Sequence, residues 1–338
     1  MSIHEFLPNE ILVMVLRQLD YESFKVASAV SKKWRQIIET IELTYNFIIV
    51  LGGATWPNVS VDTIFGGLNK PKIPRLPLDQ PTVYDCTMTN HFGTILVCGG
   101  NPNISKQCYQ LKGKTWTKHS NLNKMRLRAS AITTKDTTFL FGGALRDTFE
   151  YLSKGSNVWR LGKTKIPGRG FESGCAIAIS DDEIWLIGGL FTEKRILSFN
   201  AKNHAFIELP ITLNIGREHP KCEFIPFTRK IMITGGYDKL KNRFLNSTEI
   251  LDVENKRINK AKSMNFGRSE HGIGTLTIEG KNMLAVFGGE FGKSRMEPSI
   301  VEIYDAQAQK WKISTIKLKE HYSRFGFLSF KPGLNHGF

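Results

Sequence analysis

Six apolar runs, each ending in two glycines, decide how this chain is read: FIIVLGG (47–53), TILVCGG (94–100), TFLFGG (138–143), EIWLIGG (183–189), KIMITGG (230–236) and MLAVFGG (283–289). The pairs are Gly52-Gly53, Gly99-Gly100, Gly142-Gly143, Gly188-Gly189, Gly235-Gly236 and Gly288-Gly289, and successive first glycines lie 47, 43, 46, 47 and 53 residues apart. That period is the length of one four-stranded sheet in a radial repeat. Around each run the same succession returns. A strand-like stretch precedes it (RASAITT, ESGCAIAIS, KCEFIPF, HGIGTLTI), and another follows (VSVDTIF, QCYQL, TFEYL, RILSF, STEIL, IVEIYD). A fourth often opens on an aromatic, at Trp116, Trp159, Phe206 and Trp311. Apolar residues alternate or run on over four to seven positions, as buried strands require. The pattern predicts an all-β propeller of six blades over residues 47–331.

Glycine at a strand end permits positive φ and a close approach, so we expect each pair to make room for a large ring from a neighbouring strand or blade. Gly66-Gly67 is off-period and reads as a turn. The first run, from Phe47, has no strand before it, and RFGFLSF (324–330) has no Gly-Gly run after it. Each supplies what the other lacks. The expectation is that the C-terminal strand completes the first blade and closes the ring, removing two exposed edges, with 332–338 left as a tail. The whole succession resembles the kelch repeat.

Upstream, the period changes to that of a helix. In LPNEILVMVLRQLDYESFKVASAVSKKWRQII (7–38), Leu12, Leu16 and Leu19 stand at i, i+4 and i+7, widened by Ile11 and Val15. Pro8 suits a first helical turn, and Asp20 to Ser23 break the pattern. A second short helix would carry Phe24, Ala27 and Val30. Ser31 reads as the N-cap of a third carrying Trp34, Ile37 and Ile38. Three short helices over 4–40 are too small to enclose a core alone, so they pack on the next domain or on a partner. Residues 41–46 are then a short linker, too short for a flexible tether.

Leu7-Pro8, Glu10-Ile11-Leu12, Val15-Leu16, Leu19-Asp20, Val30-Ser31-Lys32 and Trp34-Arg35 resemble the F-box, with Phe24 a departure where that family often has Leu. The resemblance implies docking onto a Skp-type adaptor and through it a cullin, with Leu7, Pro8, Ile11, Leu12, Leu16, Leu19, Val30 and Trp34 in or behind the interface. It further implies a non-catalytic receptor of a ubiquitin ligase whose propeller holds a target protein. A kelch scaffold for cytoskeletal or signalling complexes is the alternative.

Of the net charge of +15, residues 1–46 carry five Lys/Arg against six Asp/Glu, leaving 41 against 25 in the rest. The basic excess belongs to the repeat domain and favours acidic or phosphorylated partners. Charge alone points to nucleic acid, and no motif joins it. Segments entering the first strand of a blade hold Arg126 and Arg128, Arg169, Arg217, Arg268 and Arg324, with Tyr84-Asp85 in the second blade. Loops after Gly-Gly add Arg146, Lys194, Arg195, Lys239, Lys241, Arg243, Lys293 and Arg295. Both sets open on one face, and we expect a basic rim for an acidic or phosphorylated segment, with Trp56 and Tyr237 as aromatic anchors. The competing reading makes the arginines structural or merely solvated.

No run reaches the roughly 20 apolar residues of a membrane span, and the N-terminus lacks the parts of a signal peptide. The five cysteines (Cys86, Cys98, Cys108, Cys175, Cys222) include no C-x-x-C pair and are expected as reduced thiols of a cytoplasmic or nuclear protein. His219 and Cys222 have ligand-like spacing, but on a strand they would face opposite ways and no second pair follows. Phosphate-binding and nucleophile-elbow motifs do not occur. No cofactor, metal or catalytic set is expected.

Overall fold

The computed structural model describes residues 8–16, 26–27, 29–42, 46–53, 61–64, 72–77, 83–101, 105–291, 299–319 and 322–330. Leu7, Leu19, Phe24, Trp56, Gly66-Gly67, Lys293, Arg295 and residues 332–338 lie outside them.

The repeats form six antiparallel sheets around an axis. Blade 2 runs Thr87–His91, Thr94–Cys98, Cys108–Lys112 and Thr115–His119 from the axis outward. Blade 3 is Ser130–Thr133, Thr137–Phe141, Phe149–Ser153 and Arg160–Leu161, and blade 4 is Cys175–Ala178, Glu183–Ile187, Ile196–Asn200 and Phe206–Glu208. Blade 5 is Lys221–Phe224, Lys230–Thr234, Thr248–Asp252 and Arg257–Ala261, and blade 6 is Gly272–Ile278, Lys281–Phe287, Ile300–Asp305 and Lys310–Lys317. In each blade the second strand is the most apolar and is buried on both faces, as in Ile184–Ile187 and Ile231–Ile233. The hydrophobic clusters run between neighbouring blades rather than within one: Phe139, Phe141 and Phe149 of blade 3 pack on Ile184, Leu186 and Phe199 of blade 4.

Blade 1 is built from both ends of the repeat domain. Phe47–Leu51 pairs with Val61–Ile64 on one side and with Gly326–Phe330 on the other, in a register from Phe47↔Phe330 to Leu51↔Gly326. The C-terminal strand thus takes the innermost place, as expected. The closure is tight, because Phe330 is fully buried with its ring 5.2 Å from that of Phe47.

Each Gly-Gly pair is a blade-to-blade joint. The second glycine N–H donates to a backbone carbonyl in the segment entering the next blade: Gly53 to Val83 (2.8 Å), Gly100 to Arg126 (2.9 Å), Gly143 to Phe171 (3.0 Å), Gly189 to Arg217 (3.1 Å), Gly236 to Arg268 (2.8 Å) and Gly289 to Tyr322 (2.7 Å). The first glycine has positive φ, and a Cβ there would meet that neighbour: at Gly142 (φ 62°) it would stand 1.7 Å from the Phe171 oxygen. The space is filled mainly by a backbone carbonyl, not by the aromatic ring expected from sequence. Rings come comparably close at Gly288 (Phe325, 2.8 Å) and Gly235 (His271, 2.7 Å), and at Gly188 the Pro220 ring, at 2.9 Å, is nearer than the Arg217 carbonyl.

Two helices are described before the propeller, α1 (Asn9–Leu16) and α2 (Lys32–Glu42). The Pro8 carbonyl accepts from the N–H groups of Ile11 and Leu12, and the Ser31 hydroxyl accepts from the Trp34 N–H at 3.2 Å, the N-cap read from sequence. The expected second helix falls largely outside the described residues. At the junction Asn46 is buried and tied to blade 6. Its N–H donates to Thr277 Oγ1 (2.8 Å), its amide to Asn282 Oδ1 (2.9 Å), and its carbonyl accepts from Thr277 N (3.1 Å).

The expectation of five reduced thiols is corrected. Cys98–Cys108 and Cys175–Cys222 are disulfides, and buried Cys86 is free, its thiol pushed up to about 12 by burial. Their residue separations of 10 and 47 match no familiar cysteine motif, but the ring brings them together. Cys98 and Cys108 are register partners on adjacent strands, and Cys175 and Cys222 stand on the innermost strands of blades 4 and 5.

Two outcomes follow. Phe330→Ala should cost about 3–5 kcal/mol in chemical denaturation, as for other buried aromatics; a loss within error would show that the terminal strand does not close the ring. Alkylation in denaturant without reductant should label Cys86 alone, whereas five labelled cysteines would restore the thiol reading.

Candidate functional site

The segments entering the blades superpose through the carbonyls that accept from the glycines, so Val83, Arg126, Phe171, Arg217, Arg268 and Tyr322 are equivalent. Three of the arginines expected on a binding rim occupy this position and are buried: Arg126, Arg217 and Arg268 are each at most 1% exposed. They pair with Glu150, Glu249 and Glu302 on the third strand of the same blade, at 3.2, 3.0 and 2.7 Å. Their Nη1 groups also donate to the first-glycine carbonyl, of Gly142 (2.8 Å), Gly235 (2.7 Å) and Gly288 (3.1 Å). An asparagine three residues earlier donates its N–H to the same carboxylate: Asn123, Asn214 and Asn265, at 2.7, 2.8 and 2.7 Å. Burial lowers the pKa of each arginine and its glutamate opposes the shift. These arginines hold blades together and cannot reach a ligand.

Blade 4 shows that the reading is physical. There Phe171 replaces the arginine, Leu197 stands at the glutamate's place opposite Leu186, and Pro167 follows Ile166 where asparagine follows Leu122, Leu213 and Met264. Acceptor, cation and N–H donor are all gone together, so no buried polar group is orphaned.

Two residues further along each entering segment lies a second ring of equivalent positions: Asp85, Arg128, Ser173, His219, Glu270 and Arg324. All six have φ between 51° and 58°, a rarely populated conformation for residues with side chains. The joint explains it, since the chain must turn sharply between the carbonyl given to the preceding blade and the strand that descends the axis. The turn aims all six side chains at the axis, where they line one opening of about 60 Å³ above a central channel of about 290 Å³.

The mouth is charged. Asp85 accepts from Arg128 Nε (3.3 Å) and from both Nε (3.1 Å) and Nη2 of Arg324, and this carboxylate raises the Arg324 pKa. Arg324 also lies over the Tyr84 ring at 4.8 Å. His219 Nδ1 is 3.5 Å from Glu270 Oε1. Burial, aided by Lys221, Arg128 and Arg324, holds His219 down to about 3, so it is neutral near pH 7. Burial and the charge of Glu290 push Glu270 up to about 7. Inside the channel Lys221 lies 5.6 Å from the Phe327 ring.

Of the expected rim, Arg128 and Arg324 therefore belong to the mouth, while Arg169 is exposed on the loop before blade 4. Tyr237 is half-buried and its hydroxyl donates to Asn242. Sequence reading missed Phe191, which is 37% exposed at φ 65° with Arg146 4.4 Å and Lys239 5.6 Å from its ring centroid. His219 and Cys222 do not form a ligand pair, because Cys222 is bonded to Cys175. Among the described residues no group of three or more His, Cys, Asp or Glu could hold a metal.

At the helical end, Leu12 and Leu16, expected in or behind a partner interface, are buried with Ala27, Ile37 and Ile38 in the helices' own core, and Trp34 packs against it partly buried. Ile11, Met14, Val15, Val26 and Val30 are 43–66% exposed, and Pro8 is exposed beside them. Leu7 and Leu19 lie outside the described residues.

Residues 5–46 match the family model described as F-box domain. Comparison with the curated proteins yields no match. Among solved structures, one titled "Structure of YjhT" superposes with a TM-score of 0.62 at 14% identity, covering 75% of this chain and 88% of that one, which shows a shared fold.

Glu249→Ala should destabilise the protein by about 3–5 kcal/mol by stranding a buried guanidinium. Arg169→Glu should change stability by less than about 0.5 kcal/mol. Equal melting curves for all three proteins would refute the structural role of the buried pairs.

Proposed function

We propose that this chain, an F-box at residues 5–46 joined to a six-bladed propeller, is the target-recognition subunit of a Skp–cullin–F-box ubiquitin ligase, non-catalytic itself. The observation that carries the reading is the apolar face left by α1 and the residues before α2. Leu12, Leu16, Ile37 and Ile38 already fill the small core, and Ile11, Val15 and Val30 still stand in water. A contiguous exposed apolar face marks a protein-binding site. An F-box supplies the partner, a Skp-type adaptor that links to the cullin.

The propeller is the receptor. Its charged face, with Arg128, Arg324, Arg146, Arg169, Lys239 and the exposed Phe191, suits an acidic or phosphorylated segment of a target protein. The Asn46 bonds to blade 6 fix where the chain leaves the helices for the ring. The cytoplasm or nucleus is the compartment where such a ligase works.

Co-expression with a Skp-type adaptor tests the reading. The wild-type chain should copurify with it, and Ile11→Asp/Val15→Asp should abolish capture without altering propeller melting. Undiminished capture by the double variant, or none by the wild type, would overturn the assignment.

A further inference from the structure

The loops that follow the glycine pairs of blades 3, 4 and 5 meet at one place away from the axis. Phe191 of blade 4 is reached from both neighbouring blades, by Arg146 at 4.4 Å and by Lys239 at 5.6 Å from its ring centroid. Each loop also carries an apolar side chain into water there: Leu145 at 39% exposed, Phe191 itself, and Leu240 at 98%. Leu240 stands at the tip of a two-stranded hairpin in which Tyr237–Asp238 pairs with Arg243–Phe244. The hairpin is firm. Its Tyr237 and Phe244 rings lie 5.4 Å apart, and Tyr237 exchanges two backbone hydrogen bonds with Glu218, at 2.7 and 3.0 Å. Three apolar tips gathered round one ring form a patch, unlike single exposed residues scattered over a surface.

Cations flank every tip. Arg146 follows Leu145, Lys194 is exposed three residues after Phe191, and Lys239 and Lys241 enclose Leu240. The carboxylates that balance them lie deeper. Glu172 below Arg146 (3.6 Å), Glu218 below Lys239 (3.7 Å) and Asp238 below Arg243 (3.9 Å) have side chains 15%, 9% and 9% exposed, against 42%, 63% and 56% for their cations. Of the other acids in these loops, Asp147 is taken up by the Lys165 ammonium, and Glu193 is half-buried beside Lys194. The outermost layer is therefore positive charge and apolar tips, with negative charge behind it.

A protein partner is selected by shape, through an anchor that fills a pocket walled off from water. Leu240 is almost wholly bare, so no neighbouring side chain forms such a wall around it. A bilayer surface asks for no such fit. Separate apolar side chains enter between the headgroups, while lysine and arginine stay at the level of the phosphates. We propose that the loops after the glycine pairs of blades 3, 4 and 5 bind the surface of an anionic phospholipid membrane. Leu145, Phe191 and Leu240 insert, and Arg146, Lys239, Lys241 and Arg243 meet the headgroups. The inference goes beyond the ligase reading and does not depend on the helices. Arg128 and Arg324 at the axis stay with the target, which the receptor then meets at a membrane.

The test sediments the full chain with vesicles of phosphatidylcholine alone and of phosphatidylcholine with about 30% phosphatidylserine, at low and high salt. The chain should pellet with the anionic vesicles only, and less as salt rises. Lys239→Ala/Lys241→Ala and Leu240→Ser should each weaken binding by about tenfold. Phe227→Ser, which removes a similarly bare ring at the opposite end of blade 5, should leave it unchanged. Leu240→Cys carrying an environment-sensitive fluorophore should brighten and shift to the blue on anionic vesicles, a response that adsorption by charge alone does not give; buried Cys86 stays unlabelled in the folded chain. Equal pelleting with neutral vesicles, pelleting with neither, undiminished binding by either variant, or a fluorophore that stays in water would overturn the proposal. So would a soluble acidic peptide, amidated Glu-Asp-Glu-Phe-Glu-Asp, that binds through Lys239, Lys241 and Leu240 while vesicles do not, because the patch would then belong to a protein. Ile11→Asp/Val15→Asp should lose adaptor capture and keep vesicle binding, so the membrane site and the ligase reading fail separately; lost vesicle binding in that variant would move the site to the helices and reject it here.

Discussion

The hydrogen bond from the second glycine of each blade to the entering carbonyl of the next is the constraint on which the rest of the structure depends. It recurs at all six joints, and at five of them it brings two backbones so close that the entering carbonyl leaves the first glycine no room for a Cβ; at Gly188 the Pro220 ring takes that part. Because the carbonyl is fixed, the chain two residues later turns through a left-handed conformation and delivers one side chain to the axis. The chemistry of the mouth is thus a by-product of how blades are joined. Six positions point inward by geometry, and sequence decides only what each carries.

The buried Arg–Glu pairs reinforce three of those joints. A single arginine residue gives its carbonyl to the blade behind it and its guanidinium to the blade it enters, so backbone and side chain hold opposite neighbours. Such a pair costs much desolvation, which the added bonds of the asparagine N–H and the glycine carbonyl offset, although at Arg268 the buried Nε is left without a partner. Blade 4 reaches the same end with Phe171 and Leu197 and needs no charge. The net contribution of each pair is accordingly modest, while the cost of breaking one is large.

Blade number, strand order and the closing strand are legible in the glycine period, because each is a consequence of chain length and β patterning. The division of the arginines was harder to read. Its signal was nevertheless present: Asn-x-x-Arg occurs at 123–126, 214–217 and 265–268, and the third strands of those blades alone place Glu in an apolar run, as TFEYL, STEIL and IVEIYD. The paired recurrence marks mutual burial. Cys175 and Cys222 stand at the same offset before their glycine pairs, so the repeat itself sets them on neighbouring innermost strands. Phe191 and the unpartnered Ser173 left no such trace, since loop conformation and missing contacts are three-dimensional facts.

The protein therefore presents two surfaces of opposite character. Apolar residues of the helices stand outside their own small core, and charged residues converge on the axis of a closed ring. Hydrogen–deuterium exchange of the full chain, alone and with a Skp-type adaptor, tests this division most directly. The account predicts that the adaptor slows exchange in Asn9–Leu16 and Lys32–Glu42 and leaves the segments around Asp85, Ser173 and His219 unchanged. Helices that exchange slowly in the free chain and do not respond to the adaptor would contradict it.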